Sequence, residues 1–183
     1  MLTAEKKKYT VEDYMMLEEG APFQLVESNL VMSPSPSLIH QLILGEFYDA
    51  IKTFVKQQES QGLVVLPPMD VFFDEDNVYQ PDLIYISKDR IAEIVKDRIE
   101  GAPDMVIEIL SPSNAYYDLR QKKDIYQKYG VKEYIIVDPI IFSCELYILK
   151  GDVYQLHQKA ERTEKLNSVV LPGLSFDLAK IFA

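Results

Sequence analysis

The sequence predicts an α/β (mixed α+β) fold in which helices cover both faces of a mixed β-sheet. Three observations lead to this prediction. Residues 37–58 have apolar side chains at helical spacing, so they form the longest predicted helix. Residues 105–110 are an almost unbroken apolar run, as expected of a central strand that is covered on both faces. A helical segment and then a second apolar strand follow this run, an order typical of layered sheets.

The N-terminal half begins with short elements that turn residues delimit. Thr10 is a suitable N-cap for the first helix, and Gly20 follows its end. A hairpin comes next and is predicted to turn at Ser28-Asn29, because asparagine tolerates the positive φ of a tight turn. The predicted elements are a helix 10–19, strands 23–26 and 30–32, the long helix 37–58, strands 63–66, 70–73 and 82–86, and a surface helix 88–96.

The C-terminal half continues the sheet and adds a second hairpin. Gly130 stands where a left-handed residue is expected after the end of a helix. Gly151-Asp152 separates two short β-like runs and predicts a β-hairpin. The predicted elements are a strand 105–110, a helix 116–129, a strand 134–137, hairpin strands 145–149 and 153–156, and a short helix at the end of the tail 171–182.

The length and charge of the chain limit the classes of function. Its 183 residues, 48% of them hydrophobic, fit a single domain over residues 1–183 with a packed core. The formal net charge of −10 means that the surface as a whole repels phosphate, so diffuse counterion release does not hold nucleic acid. Any phosphate chemistry must therefore be local and metal-assisted.

The cysteine and histidine content excludes a disulfide-stabilised secreted protein and a zinc protein of the usual kind. A single cysteine, Cys144, cannot form an internal disulfide and fits a reducing cytosol. His40 and His157 stand far apart in the sequence, so the chain has no zinc motif of the usual kind. No apolar run approaches the roughly 18 residues of a membrane span. We therefore expect a cytoplasmic protein without a membrane anchor.

Glu108 is a charged residue in the most apolar strand of the chain. The two-residue period of a strand places it on one face with Val106 and Leu110. An ionised carboxylate in such a place costs several kcal/mol unless a cation, a lysine or several donors meet it. A structural salt bridge would satisfy this requirement as well as a functional site would.

Asp82 and Lys122 are also charged residues at positions where the surrounding pattern predicts apolar side chains. Asp82 directly follows Pro81 at the start of a strand, a position that suits a turn as well as a site. A helix advances about 100° per residue, which places Lys122 in the centre of the apolar stripe and directs it at the sheet. Asp118 lies one turn earlier and can pair with it.

These residue types are sufficient for phosphodiester hydrolysis. Two carboxylates from neighbouring strands can hold Mg²⁺ or Mn²⁺, which prefer oxygen ligands. The metal lowers the pKa of a bound water and offsets charge on the phosphoryl oxygens. A nearby lysine can orient the attacking water or stabilise the crowded phosphorus centre.

A series of short motifs occurs in order from about residue 9 to residue 182. The motifs are FQLVE at 23–27, VMSP at 31–34, QPDL at 80–83, GAPD at 101–104, EILSPS at 108–113, and GVKEY at 130–134. Together with His40, Lys122 and Tyr126 they resemble the PD-(D/E)XK nuclease superfamily, and within it the Uma-type family of restriction endonucleases. The resemblance implies a restriction-endonuclease-like core with an N-terminal and a C-terminal β-hairpin.

The resemblance also implies a set of site residues. Asp82 and Glu108 would be the metal ligands, and Lys122, Glu27 and His40 would complete the catalytic set. The superfamily lysine normally stands two residues after the acid, where this chain has Leu110. In families of this type the lysine has moved to the following helix, and the matching residue is Lys122. If Lys122 only paired with Asp118, the site would be inactive.

The sequence thus favours a Mg²⁺- or Mn²⁺-dependent endonuclease, with DNA as the expected nucleic-acid substrate. Two alternatives stay open. The protein is a non-catalytic module that keeps the nuclease fold for nucleic-acid or protein contacts, or the two acids and the lysine form a buried ion network that only fixes the register of the strands and the helix. A homodimer is expected because cutting both strands suits twofold symmetry. The hairpin 145–156 could supply the interface or cover its own sheet edge.

Overall fold

The computed structural model describes residues 7–33, 35–58, 62–111 and 115–183, with side chains described over the same ranges except 115–120. Its helices are α1 (Val11–Met15), α2 (Leu38–Gln57), α3 (Lys88–Ile94), α4 (Ala115–Tyr129) and α5 (Leu178–Ile181). Its strands are β1 (Phe23–Val26), β2 (Asn29–Met32), β3 (Leu63–Val65), β4 (Val71–Asp74), β5 (Asn77–Tyr79), β6 (Leu83–Ile86), β7 (Ile99–Glu100), β8 (Met105–Ile109), β9 (Glu133–Asp138), β10 (Ser143–Lys150), β11 (Val153–Glu161), β12 (Lys165–Asn167) and β13 (Ser175–Asp177).

A six-stranded mixed sheet carries the main core, with the strand order β11-β10-β9-β8-β6-β3. Strands β8 and β9 run parallel, and the other neighbouring pairs run antiparallel. Phe47 and Ile51 of α2 pack on the face that includes Ile107, and Tyr126 of α4 packs on the opposite face beside Val106. The predicted mixed sheet with helices on both faces is therefore confirmed.

A second sheet, in the order β2-β1-β5-β4-β7, packs against β6. Val71 and Ile99 of this sheet cluster with Ile84 and Ile86 of the central sheet. The sequence did not predict β5 or β7, because strands of three and two residues are too short to show an alternating pattern. Strands β12 and β13 form a further short pair.

The first hairpin turns one residue earlier than predicted. Its turn residues are Glu27 and Ser28, with φ of 46° and 61°. Asn29 instead belongs to β2 and pairs with Val26. The Asn29 side chain donates to the Glu27 carbonyl over 2.8 Å, so it stabilises the turn from the adjacent strand position.

Helix α2 begins and ends within one residue of its predicted bounds, and Ser37 caps it by accepting from the His40 N–H over 3.2 Å. The predicted apolar stripe is wrong at its start. Leu38, Ile39 and Leu42 are 74%, 61% and 60% exposed, because the first turns present them to the side opposite His40 and the sheet. Helix α1 is also shorter than predicted, with five residues after the cap Thr10.

The C-terminal hairpin is present, with its turn at Gly151-Asp152 and with strands β10 and β11 longer than predicted. Within the residues that the structure describes, no helix combines the length and apolar character that a membrane crossing needs.

Asp104 is a buried carboxylate that ties the start of β8 to its neighbours. It accepts from the Ser87 N–H over 2.8 Å and from Lys132 Nζ over 2.7 Å. Burial opposes its ionisation, but these hydrogen bonds outweigh that effect and hold the pKa of Asp104 below its usual value. Asp104 therefore stabilises the fold mainly as the ionised carboxylate.

We expect Asp104→Asn to lower the free energy of unfolding by about 2 kcal/mol at pH 7, because a charged acceptor of two donors is lost. The stabilisation depends on ionisation, so it is present above the unfolded pKa of about 4 and is lost as the pH falls through the lower native pKa. Urea unfolding of both proteins at pH 7 and pH 3 measures it. Asp97→Asn, at an exposed position, is the control. If the free energy of unfolding differed between variant and wild type by the same amount at pH 7 and pH 3, the result would contradict this account.

Candidate active site

Asp82 and Glu108 come from neighbouring antiparallel strands. Leu83 pairs with Ile107, and this register places Asp82 opposite Glu108 on the face that α4 covers. Asp82 Oδ2 also accepts from the Ile109 N–H over 2.7 Å, which anchors its carboxylate to the backbone of β8. The two acids predicted from the sequence therefore meet at one end of the sheet.

Helix α4 supplies two donors to Glu108. Lys122 Nζ lies 2.8 Å from Glu108 Oε2, and the Tyr126 hydroxyl donates to Oε1 over 2.6 Å. The Glu108 and Lys122 side chains are only 6% and 9% exposed. Lys122 thus points at the sheet, as its place in the helical stripe predicted. The side chain of Asp118 lies outside the described side chains, so its pairing with Lys122 stays a prediction.

The position of Tyr126 is set by aromatic packing. Its ring lies edge-on to Tyr79 and Tyr134, with centroid distances of 6.0 and 5.2 Å. Burial, and then the charge of Glu108, raises the pKa of Tyr126 well above its usual value, so the phenol stays a donor. In the sequence, Tyr126 was one of the residues that carry the family resemblance, and no contact with Glu108 was predicted for it. Its position one turn after Lys122 was the signal that could have identified it as a partner of Glu108.

The electrostatic environment of Glu108 favours an additional cation. Burial and then the negative charge of Asp82 raise the pKa of Glu108 to about 7, against the opposing charge of Lys122. A cation between the two carboxylates would offset both the burial and this repulsion. The pair therefore has the charge to hold a cation beside the lysine.

His40 approaches the pair from the first turn of α2. Its Nε2 lies 3.1 Å from Asp82 Oδ2, and its side chain is 10% exposed. Its Nδ1 is buried, and no described group forms a hydrogen bond with it. A neutral ring that donates from Nε2 leaves Nδ1 as a lone-pair acceptor, so this contact fits a neutral imidazole that orients Asp82.

The donor set fits Mg²⁺ or Mn²⁺. The Ile109 N–H and His40 Nε2 both contact Oδ2 of Asp82. Among the described residues, no donor contacts Oδ1. Among the described residues no group of three or more His, Cys, Asp or Glu side chains is arranged to hold a metal. Magnesium is commonly bound by one or two carboxylates and completes its shell with water and phosphate oxygens. Asp82 and Glu108 meet that requirement.

Glu27 lies apart from the pair. It is exposed at the β1–β2 turn, where Oε2 accepts from Gln121 Nε2 over 2.9 Å. It lines an open groove of about 740 Å³ with Asp74, Asp76 and Asp124. No described hydrogen bond or ion pair joins it to Asp82 or Glu108. The structure thus brings together four of the five predicted site residues and leaves Glu27 outside.

Comparisons with known proteins identify the fold and the family. A crystal structure described as a "putative nuclease belonging to DUF820" from Anabaena variabilis shares the fold, with a TM-score of 0.77 and 21% identity over 94% of this chain and 97% of that chain. A search of curated proteins found no match. The family model Uma2, described as "Putative restriction endonuclease", matches residues 11–179. This chain therefore belongs to the Uma2 family, the family that its motifs resemble.

Proposed function

We propose that this protein is a divalent-metal-dependent endonuclease that hydrolyses phosphodiester bonds in DNA. The observation that carries the proposal is the meeting of Asp82, Glu108 and Lys122 in one buried cluster at the end of the sheet. Membership of the Uma2 family supports the nuclease assignment. The metal and the choice of DNA rest on the chemistry of the carboxylate pair and on the resemblance.

Each residue of the cluster has a distinct task in this proposal. Asp82 and Glu108 would hold Mg²⁺ or Mn²⁺, which supplies an activated water and offsets charge on the phosphoryl oxygens. His40 and the Ile109 N–H restrain Asp82 through Oδ2, and Tyr126 restrains Glu108 through Oε1. Lys122 places a positive charge beside Glu108, where it stabilises negative charge that develops on the substrate.

The direct test is incubation of purified protein with supercoiled plasmid in Mg²⁺ or Mn²⁺, with excess EDTA as the metal-free arm and a structured RNA as the second substrate. We expect nicked and linear plasmid only in the metal arms. Absence of cleavage with either metal would contradict the proposal and favour a non-catalytic role for the fold. Cleavage of the RNA alone would contradict the choice of DNA.

Metal binding can be measured without cleavage. We expect Mn²⁺ to raise the melting temperature of the wild-type protein, because a ligand at about 100 times its Kd adds about 2.7 kcal/mol to stability. Asp82→Asn should abolish this shift, since it removes one of the two charged ligands. Differential scanning fluorimetry across a Mn²⁺ titration measures both.

Glu27→Gln is the matched control for that titration. Its carboxylate contacts Gln121 rather than the acid pair, so we expect the Mn²⁺ shift to be retained. A shift that survives Asp82→Asn, or one that disappears in Glu27→Gln, would place the metal in the groove beside α4 instead of between Asp82 and Glu108.

A further inference from the structure

Glu108 is hydrogen-bonded at both carboxylate oxygens by two side chains of α4. The Tyr126 hydroxyl donates to Oε1 over 2.6 Å, and Lys122 Nζ donates to Oε2 over 2.8 Å. The two donors lie one helical turn apart, and both side chains are buried. Contacts at two different oxygens fix the direction of the carboxylate plane as well as its position. The Glu108 carboxylate therefore resists rotation.

The Tyr126 hydroxyl has little freedom to move away from Glu108. Its ring is fully buried and packs against the rings of Phe73, Tyr79 and Tyr134, with centroid distances of 5.8, 6.0 and 5.2 Å. Because protein interiors are close-packed, a ring held by three other rings keeps its phenol oxygen in one place. Oε1 of Glu108 thus has a hydrogen-bond donor at a fixed position.

Asp82 offers a single oxygen to a cation. Its Oδ2 accepts from the Ile109 N–H over 2.7 Å and lies 3.1 Å from His40 Nε2. A carboxylate oxygen has two lone pairs, so these two contacts engage both lone pairs of Oδ2. Oδ1 is the oxygen that is left for a cation.

Divalent cations differ in how they use carboxylates. Mg²⁺ requires nearly ideal octahedral geometry, retains several waters and accepts single carboxylate oxygens. Mn²⁺ also suits octahedral oxygen sites. Ca²⁺ takes about six to eight oxygen ligands at longer distances, and carboxylates that bind with both oxygens help to complete this larger shell. Two carboxylates that each present one oxygen therefore suit the smaller ions.

We propose that Tyr126 is a positioning residue that makes the acid pair select Mg²⁺ or Mn²⁺ over Ca²⁺. Its hydroxyl holds Oε1, so Glu108 cannot turn to present both oxygens to one ion. An oxygen that already accepts a short hydrogen bond also has less charge to share with a cation. The inference rests on the proposed function, since it takes Asp82 and Glu108 as the ligands of a divalent cation.

A purely structural hydroxyl would behave differently. If Tyr126 only satisfied the buried Glu108 carboxylate, its removal would destabilise the fold and weaken the binding of every divalent cation by about the same factor. If Tyr126 restricts Glu108 to one oxygen, its removal favours Ca²⁺ in particular, since Glu108 can then bind with both oxygens. The ratio of the Ca²⁺ and Mn²⁺ dissociation constants separates these two roles.

Isothermal titration calorimetry of the full chain with CaCl₂ and with MnCl₂, without nucleic acid, measures this ratio. We expect the wild-type protein to bind Mn²⁺ at least about tenfold more tightly than Ca²⁺. Tyr126→Phe should reduce the ratio of the Ca²⁺ to the Mn²⁺ dissociation constant at least about tenfold, the size of effect that loss of a hydrogen-bond partner of a metal ligand has. Phenylalanine keeps the packed ring, so circular dichroism should be unchanged. If the variant did not fold, the wild-type comparison of the two ions would still decide.

Tyr154→Phe is the matched control. Tyr154 is buried, packs against the same Tyr134 ring with a centroid distance of 6.0 Å, and donates its hydroxyl to the Val131 carbonyl over 2.8 Å. The substitution removes a buried hydrogen bond from the same group of tyrosines but leaves the donors of Glu108 in place. We expect the wild-type ratio from this variant.

Three results would overturn the inference and leave the metal site of the proposed function standing. They are an unchanged ratio in Tyr126→Phe, binding of Ca²⁺ to the wild type as tight as that of Mn²⁺, and a ratio that falls equally in Tyr154→Phe. Binding of neither ion by the wild-type protein would overturn both the inference and the proposed function. The two failures are therefore distinguishable.

Discussion

Replacement of Glu108 by glutamine is expected to reduce metal-dependent plasmid cleavage about a thousandfold, because loss of a charged metal ligand removes several kcal/mol of transition-state stabilisation. The glutamine side chain has nearly the same shape, so the buried position remains filled. It lacks the negative charge that would hold a cation beside Asp82. Initial rates of supercoil loss at saturating Mn²⁺ measure the effect.

Glu93→Gln is the control for this experiment, since Glu93 is exposed on α3 and pairs only with Arg90 among the described residues. We expect wild-type rates from it. Cleavage by Glu108→Gln at a rate close to that of wild type would contradict the assignment. Measurement of the melting temperature separates loss of chemistry from loss of folding.

Lys122→Met is expected to reduce cleavage at least about a hundredfold and to change the free energy of unfolding by no more than about 1–2 kcal/mol in either direction. Burial and Asp82 already raise the pKa of Glu108 to about 7, so this carboxyl can take up a proton when the lysine charge is removed. The methionine fills the buried stem of the lysine side chain. Activity and stability should therefore separate in this variant.

Lys128→Met provides the matched change on the same helix. Lys128 is exposed and lies over the Tyr129 ring, away from Glu108. We expect the Lys128→Met variant to retain both the cleavage rate and the free energy of unfolding of the wild type. If Lys122→Met kept full activity, the Lys122–Glu108 contact would be a structural ion pair, which is the alternative that the sequence left open.

The helical position of Lys122 shows what periodicity can predict. A strand period and a helix period are local properties, and they were sufficient to direct Glu108 to one face and Lys122 at the sheet. Helix α2, strand β8 and both hairpins follow from the same kind of local pattern. Two strands of the second sheet do not, since β5 and β7, with three and two residues, are too short to show an alternating pattern.

The partners of the acid pair needed tertiary information. The spacing of Tyr126 one turn after Lys122 is a local signal, but its role as a donor became visible only when the hydroxyl was found on Glu108. Most of α2, strand β3 and the β4–β5 hairpin separate His40 from Asp82 in the sequence, and the two residues contact each other only after α2 packs. Glu27 was selected by its position in a motif, and the fold places it in the neighbouring groove.

The amino-acid sequence by itself determined the family, the layered α/β architecture and the identity of three charges that an apolar interior does not need. Only the tertiary structure decided which donors restrain each carboxylate, and that Leu38, Ile39 and Leu42 at the start of α2 are exposed. The physical reason is range. Periodicity and turn chemistry act over a few residues, whereas these contacts join side chains that the sheet register and helix packing bring together from distant parts of the chain.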